Sequence, residues 1–181
     1  LEQFANGFSE DGLSCPILIM TAGGGMCAID TAMRFPIRLV ESGPAGGAIL
    51  AAQIASQAGL DEVLSLDIGG TTAKLCLIDQ GVAQTSHQFE IARAERFIKG
   101  SGIPVRIPVI EMIEIGAGGG SIAAVDRLGR LTVGPRSAGS DPGPAAFDRG
   151  GYLPTVTDAD ILLGYIPTET FAEGRLSINI D

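Results

Sequence analysis

Val63-Leu64-Ser65-Leu66-Asp67 is a short apolar run that passes into Gly69-Gly70-Thr71-Thr72, and residues 73–78 read as a second strand. This strand–turn–strand unit constrains the chain more than any other feature. Two strands joined by so short a glycine turn pair as a hairpin. The first strand carries Asp67 to its carboxyl end. Glycines bring no side chain, so an anion can approach the N–H groups of Gly69 and Gly70 closely. Thr71 and Thr72 add hydroxyl donors. Asp67 can hold a Mg²⁺ ion, often through water, or orient an attacking nucleophile. Here the glycine turn leads into a strand, whereas in a P-loop it opens a helix. A plain hairpin turn that uses glycine for its positive φ is the alternative. Lys74 either reaches a phosphate or lies on the surface.

A second glycine turn is Glu114-Ile115-Gly116-Ala117-Gly118-Gly119-Gly120-Ser121. A base, ribose or phosphate can lie flat against such backbone, which makes Gly118, Gly119, Gly120 and Ser121 candidate ligand contacts. A tight structural turn is the competing reading. Both turns follow strands, and ligands of open α/β sheets sit at strand ends, so the two are expected near each other at the edge of one cleft. Ser137-Ala138-Gly139-Ser140-Asp141-Pro142-Gly143-Pro144 is a third candidate, in which Asp141 faces a site or sits in a plain turn. Arg34, Arg38, Arg136 and Arg149 are free to clamp an anion, and nothing in the sequence selects among them. His87 is the only histidine, so this chain alone cannot build a histidine metal cluster or a Ser–His triad.

Elsewhere the alternation of elements predicts an α/β fold with a mixed sheet and helices on at least one face. Residues 1–8 read as an amphipathic helix and residues 16–20 as a buried strand ending in Gly23-Gly24-Gly25. Residues 44–59 read as a buried helix, with Ser42 as cap, Pro44 in the first turn and Gly59 as stop. The stretch 82–98 reads as a strand through Ile91, and 105–115 as a strand broken by Pro108. Residues 122–125 and 131–133 flank a hairpin turn, and 134–151 form a long loop. Thr157-Asp158-Ala159-Asp160 reads as a capping box for a helix that Pro167 ends. Residues 176–180 suit a last strand.

The 181 residues suffice for one compact domain with a sizeable core, and the 45% hydrophobic content excludes disorder. A net charge of −9 argues against a nucleic-acid partner, which needs a basic stripe. Cys15, Cys27 and Cys76 form no Cys-x-x-Cys pair, which disfavours structural zinc and a disulfide framework and fits a reducing cytoplasm. The first residues show no secretory leader pattern. The least polar stretch, 44–59, is broken by Gln53, Ser56 and Gln57, so no membrane span is expected.

Taken together, these motifs carry a resemblance. The segment from Asp67 to Lys74 resembles the phosphate loop of actin-like ATPases, the superfamily that includes actin and the sugar kinases. The fuller succession is narrower: Thr21-Ala22-Gly23-Gly24-Gly25, Glu41-Ser42-Gly43-Pro44-Ala45-Gly46-Gly47 and Leu66-Asp67-Ile68-Gly69-Gly70-Thr71. Then follow Ile115-Gly116-Ala117-Gly118-Gly119-Gly120-Ser121, Val133-Gly134-Pro135-Arg136-Ser137-Ala138-Gly139-Ser140-Asp141-Pro142-Gly143-Pro144 and Gly150-Gly151-Tyr152-Leu153-Pro154-Thr155-Val156-Thr157-Asp158. In this order they look like the hydantoinase A family, with the 5-oxoprolinases and acetone carboxylase β-subunits. The resemblance implies a fragment of an actin-like (ribonuclease H-like) ATPase domain carrying the second phosphate loop, with ATP and Mg²⁺ as cofactors. It further implies activation of a cyclic amide such as a hydantoin or 5-oxoproline, or of a ketone, in the cytoplasm. The partners it implies are a hydantoinase B-type subunit and the remainder of a much longer chain, which would hold the first Asp-x-Gly-Gly-Thr loop. The fragment alone would then be inactive. Two departures stand out. Lys74 occupies a place where many relatives carry a second Asp, and the segment at Thr21 lacks the Asn often found before its glycines. Another actin-like ATPase or sugar kinase is the second reading, against which the 137–144 loop speaks. A domain that kept the fold without catalysis is the third.

Overall fold

The computed structural model describes residues 1–91 and 100–180. The helices are α1 (Glu2–Glu10), α2 (Ile29–Arg34), α3 (Ser42–Gln57) and α4 (Val156–Leu162). The strands are β1 (Leu18–Met20), β2 (Met26–Ala28), β3 (Glu62–Ile68), β4 (Ala73–Asp79), β5 (Val82–Ala83) and β6 (Thr85–Ser86), then β7 (Phe89–Ile91), β8 (Ile103–Val105), β9 (Val109–Ile110), β10 (Ile113–Ile115), β11 (Ser121–Val125) and β12 (Leu131–Ser137). This is a mixed α/β architecture, and its strands are spread over several small sheets. The chain divides into two compact units, Leu1–Ser65 with Leu75–Ile113 and Leu66–Lys74 with Glu114–Asp181.

In the first unit the core forms around α3. Ala45, Ala48, Ala52 and Ala55 recur at three- and four-residue spacing and are all buried, the pattern of one helix face. Their small side chains let the helix lie close to Cys76, Ile78, Ala83 and Ile110, with Ile49, Val63 and Met112 packed around them. Burial pushes the Cys76 thiol above its ordinary value; the nearby Glu111 charge adds to this, and a backbone hydrogen bond at Gln84 opposes it. The helix stops as expected, with Gly59 at φ +70°. Its start differs from expectation. Ser42 is already helical, and the cap position falls to Glu41, in the left-handed region at φ 60° with no side-chain cap bond.

Residues 18–20 do not form a buried strand. They pair with β2 as a hairpin, Leu18 opposite Ala28 and Met20 opposite Met26, and Leu18 is 55% exposed. The turn between them is held by Thr21, whose N–H and hydroxyl both donate to the Gly25 carbonyl. Gly24 takes φ +79° there, a left-handed conformation that favours glycine. In α1, Phe4 and Phe8 meet edge to face at 4.6 Å.

The largest sheet has the order β10-β4-β3, with β5 paired antiparallel to β4. The β3–β4 hairpin and its 69–72 turn are as expected. The stretch 82–98 gives three short strands, β5 to β7, and its residues 92–98 lie outside those described. The stretch 105–115 is likewise split around Pro108. β8 pairs with β7, β9 pairs with β6 and β10 joins β4.

In the second unit β11 and β12 pair antiparallel, with an irregularity between Ser121 and Ala123. Gly129 takes φ +76° in the connecting turn. β12 continues to Ser137, so the expected loop at 134–151 begins later. It packs on itself, because a Cβ at Gly151 would collide with the Gly143 carbonyl. The capping box opening α4 lies two residues earlier than expected. Thr155 is the cap, its hydroxyl accepting from Asp158 N–H while the Asp158 carboxylate accepts from Thr155 N–H. The helix ends at Leu162, with Gly164 at φ +75° before Pro167. Residues 176–180 form no strand; Asn179 N–H donates to the Ala146 carbonyl at 2.9 Å. Among the described residues no helix is long and apolar enough to cross a membrane.

Candidate functional site

Asp67, Gly69, Gly70, Thr71, Thr72, Gly118, Gly119, Gly120 and Ser121 all fall in the second unit, whereas Arg34 and Arg38 fall in the first, and the structure brings the two glycine turns of the second unit into direct contact. Gly119 N–H donates to the Gly69 carbonyl at 3.0 Å, and Gly120 N–H to the Gly70 carbonyl at 2.7 Å. The 116–121 turn is anchored on its other sides as well. Gly118 N–H donates to Ser121 Oγ at 2.9 Å. The Gly118, Gly119 and Gly120 carbonyls accept from the N–H groups of Ser121, Thr157 and Ala138 at 2.9, 2.7 and 2.8 Å. Ser121 is 1% exposed.

None of Gly69, Gly70, Gly118, Gly119 and Gly120 has a positive φ, so backbone freedom does not explain these glycines. Close approach explains three of them. A Cβ on Gly118 would lie 2.5 Å from the Gly69 carbonyl oxygen, one on Gly119 2.6 Å from Thr157 Oγ1, and one on Gly120 2.7 Å from Ser137 Oγ. Real Cβ atoms do not tolerate such distances. Gly70 differs: a Cβ there would meet nothing within 4 Å.

The 69–72 turn closes through Gly69 N–H, which donates to the Thr72 carbonyl at 3.0 Å. Among the described residues, the N–H groups of Gly70, Thr71 and Thr72 donate to no protein acceptor. Gly70 and Thr71 are exposed, and Thr72 is half-buried. Three successive amides without a protein acceptor, beside a glycine with free space at its Cα, are donors of the kind that phosphate oxygens accept from. Asp67 is the penultimate residue of β3 and is exposed. Among the described residues no hydrogen bond or ion pair engages its carboxylate, so it is available to a hydrated cation.

Lys74 was open between a phosphate role and the surface. Its side chain is only 15% exposed, lying 3.9 Å from Glu114 Oε1, and its Nζ donates to Thr72 Oγ1 at 3.1 Å. Sequence reasoning missed the Lys74–Glu114 pairing and the part of Thr157 in seating Gly119. Glu114 stands at the head of the second glycine motif, which was the one available signal for it. Asp158 is an anchor within its own loop: its carboxylate accepts from Ala145, Ala146 and Thr155 N–H and from the Thr155 hydroxyl. Asp141 and His87 are exposed. Arg34 and Arg38 stack on the Phe35 ring at 5.4 and 5.3 Å. The first unit has an open hollow of about 470 Å³ lined by residues such as Ile49, Gln53, Gln57 and Thr85, with no charged side chain among the described residues of its walls.

Comparison with known proteins gives this α/β segment a family. The Hydantoinase/oxoprolinase family model matches residues 1–181. The chain belongs to the hydantoinase/oxoprolinase family. It is 39% identical over 184 residues to an uncharacterised protein of Methanocaldococcus jannaschii, covering 100% of this chain and 27% of that one. It is 34% identical over 172 residues to the caprolactamase alpha subunit of Pseudomonas jessenii, covering 95% and 23%. The crystal structure of that caprolactamase, described as ATP-dependent, is matched with a TM-score of 0.60. The nucleotide-free structure of acetone carboxylase, an enzyme of ATP-dependent acetone carboxylation, is matched with a TM-score of 0.74 at 27% identity, over 99% of this chain and 24% of that one. The chain thus spans about a quarter of the length of these relatives.

Proposed function

We propose that this segment supplies a phosphate-binding turn to an ATP-dependent enzyme that activates a cyclic amide or a ketone. The carrying observation is the run Gly70, Thr71 and Thr72, whose amides have no acceptor among the described residues and whose glycine answers to neither positive φ nor packing. In this reading the three amides and the Thr71 and Thr72 hydroxyls hold phosphate oxygens of ATP. Asp67 holds Mg²⁺ through water or orients the nucleophile. Mg²⁺, when bound, neutralises phosphate charge. Gly69, Gly118, Gly119, Gly120 and Ser121 form the bed beneath the turn, because their N–H groups and the Ser121 hydroxyl are engaged within the protein.

The reaction class is supported by the relatives, a caprolactamase and an acetone carboxylase, one acting on a lactam and one on a ketone. In this reading the segment is the second phosphate-loop portion of an actin-like domain. The first loop is then supplied by the rest of its own chain. A hydantoinase B-type subunit completes the reaction, in the cytoplasm.

The test is Asp67→Ala in the full-length chain. ATP turnover should fall about a thousandfold, or about 4 kcal/mol in barrier. Far-UV circular dichroism and the thermal midpoint should stay unchanged, because no hydrogen bond or ion pair among the described residues engages the Asp67 carboxylate. Normal turnover in this variant would sink the assignment.

A further inference from the structure

We infer that Lys74 is a positioning residue that acts on the bound phosphate through Thr72, by fixing which way the Thr72 hydroxyl donates. The inference rests on the phosphate-turn reading above and specifies how one side of that turn works. Lys74 is the second residue of β4, two places beyond Thr72. Its ammonium donates to Thr72 Oγ1 at 3.1 Å. Glu114, on the neighbouring strand β10, stands 3.9 Å from the same ammonium.

The chemistry follows from donor and acceptor counting. A hydroxyl has one proton and two lone pairs, and an ammonium can only donate. Lys74 therefore occupies a lone pair of Thr72 Oγ1 and cannot receive its proton. The Thr72 proton must point to another acceptor, and the neighbouring amides of Gly70, Thr71 and Thr72, which have no acceptor among the described residues, are the donors that a phosphate oxygen would meet there. A cation on the oxygen also polarises the O–H bond and makes it a better donor to an anion. With 44% of its side chain exposed, Glu114 is a loose tether at that distance. Its effect is to draw the ammonium toward β10 and so favour the indirect arrangement over direct contact of Lys74 with the phosphate.

The experiment measures MgATP affinity of the full-length chain in five variants: Thr72→Val, Thr72→Ser, Lys74→Met, Lys74→Arg and the double Thr72→Val/Lys74→Met. Thr72→Val and Lys74→Met should each weaken binding roughly tenfold, the usual effect of losing a hydrogen bond to a charged group. The double variant should be no weaker than Thr72→Val alone, because Lys74 has no effect without the hydroxyl. Thr72→Ser and Lys74→Arg should recover most of what Val and Met lose, which a purely structural role would not require. Multiplying losses in the double variant would show that Lys74 touches phosphate by itself and would overturn the inference. So would an unchanged affinity in Lys74→Met. If the wild-type chain bound no MgATP, the phosphate-turn reading itself would fall. Wild-type binding with an indifferent Lys74 would overturn this inference alone.

Discussion

In the 69–72 turn, three amides have no acceptor among the described residues, and a side chain added at Gly70 would meet nothing within 4 Å. In the 116–121 turn, the amides of Gly118, Gly119 and Gly120 are all engaged, and a side chain on any of the three would strike its neighbours. The two turns share a composition and lie against each other, yet glycine serves opposite ends in them. In one it removes bulk so that two pieces of backbone can touch. In the other it keeps a space that no part of the described chain fills. Glycine content alone therefore does not separate the two turns; the fate of their N–H groups does.

The sharpest way to break this contrast is a pair of alanine substitutions in the full-length chain. Gly118→Ala places a methyl group 2.5 Å from a carbonyl oxygen. It should destabilise the protein by about 3 kcal/mol, read as a lower denaturation midpoint. Gly70→Ala should change stability by less than about 0.5 kcal/mol while weakening MgATP binding. Equal stability of the two variants would erase the distinction between the turns.

A middle-sized effect is expected at Asp158, where a carboxylate takes the part that a bound anion would take at the open turn. It accepts from three amides and a hydroxyl. Asp158→Ala should lower stability by about 2 kcal/mol through loss of the α4 cap and of the tie to residues 145–146. A denaturation curve superimposing on wild type would show that the loop holds without it.

The smallest effect is at the β11–β12 turn, which also satisfies its amides with a carboxylate. Asp126 is held below the ordinary carboxylate range, first by the Arg130 N–H, then by the Arg130 side chain and the Leu128 N–H. Its folded value lies below the unfolded one. Its support for the turn is therefore present above about pH 4 and fades as pH falls through the folded value. The Leu128 and Arg130 amide resonances should shift on acidification, and amides that ignore pH would remove Asp126 from the account.

The contrast also shows which features are legible before folding. The strand–turn–strand unit at 62–79 was readable because its signals are local: an apolar run, a pair of glycines and a second run. The meeting of the two turns was readable from strand-end logic. How their hydrogen bonds are shared was not, since it depends on Gly69 and Gly119, fifty residues apart in sequence, coming within 3.0 Å. The capping box was read two residues late because Thr155-x-x-Asp158 and Thr157-x-x-Asp160 satisfy the same pattern. Only the backbone at Thr155, extended at φ −121° and ψ 173°, separates them. The break-up of 103–115 into three strands escaped a local reading for a similar reason. Each piece pairs with a different strand, and the pairings of β8 and β9 reach back to β7 and β6.

Helix α3 has one more consequence. Its sixteen residues contain no charge, yet Leu50 and Ile54, one turn apart, are 57% and 56% exposed. The helix itself brings no charge to keep two copies apart, and adjoining aliphatic side chains on it are adhesive in water. Prepared apart from its longer relatives' equivalent sequence, the segment carries its own obstacle to solubility. A lysine or glutamate introduced at position 50 or 54, well away from the glycine turns in the chain, is the direct remedy for anyone who needs it in concentrated solution.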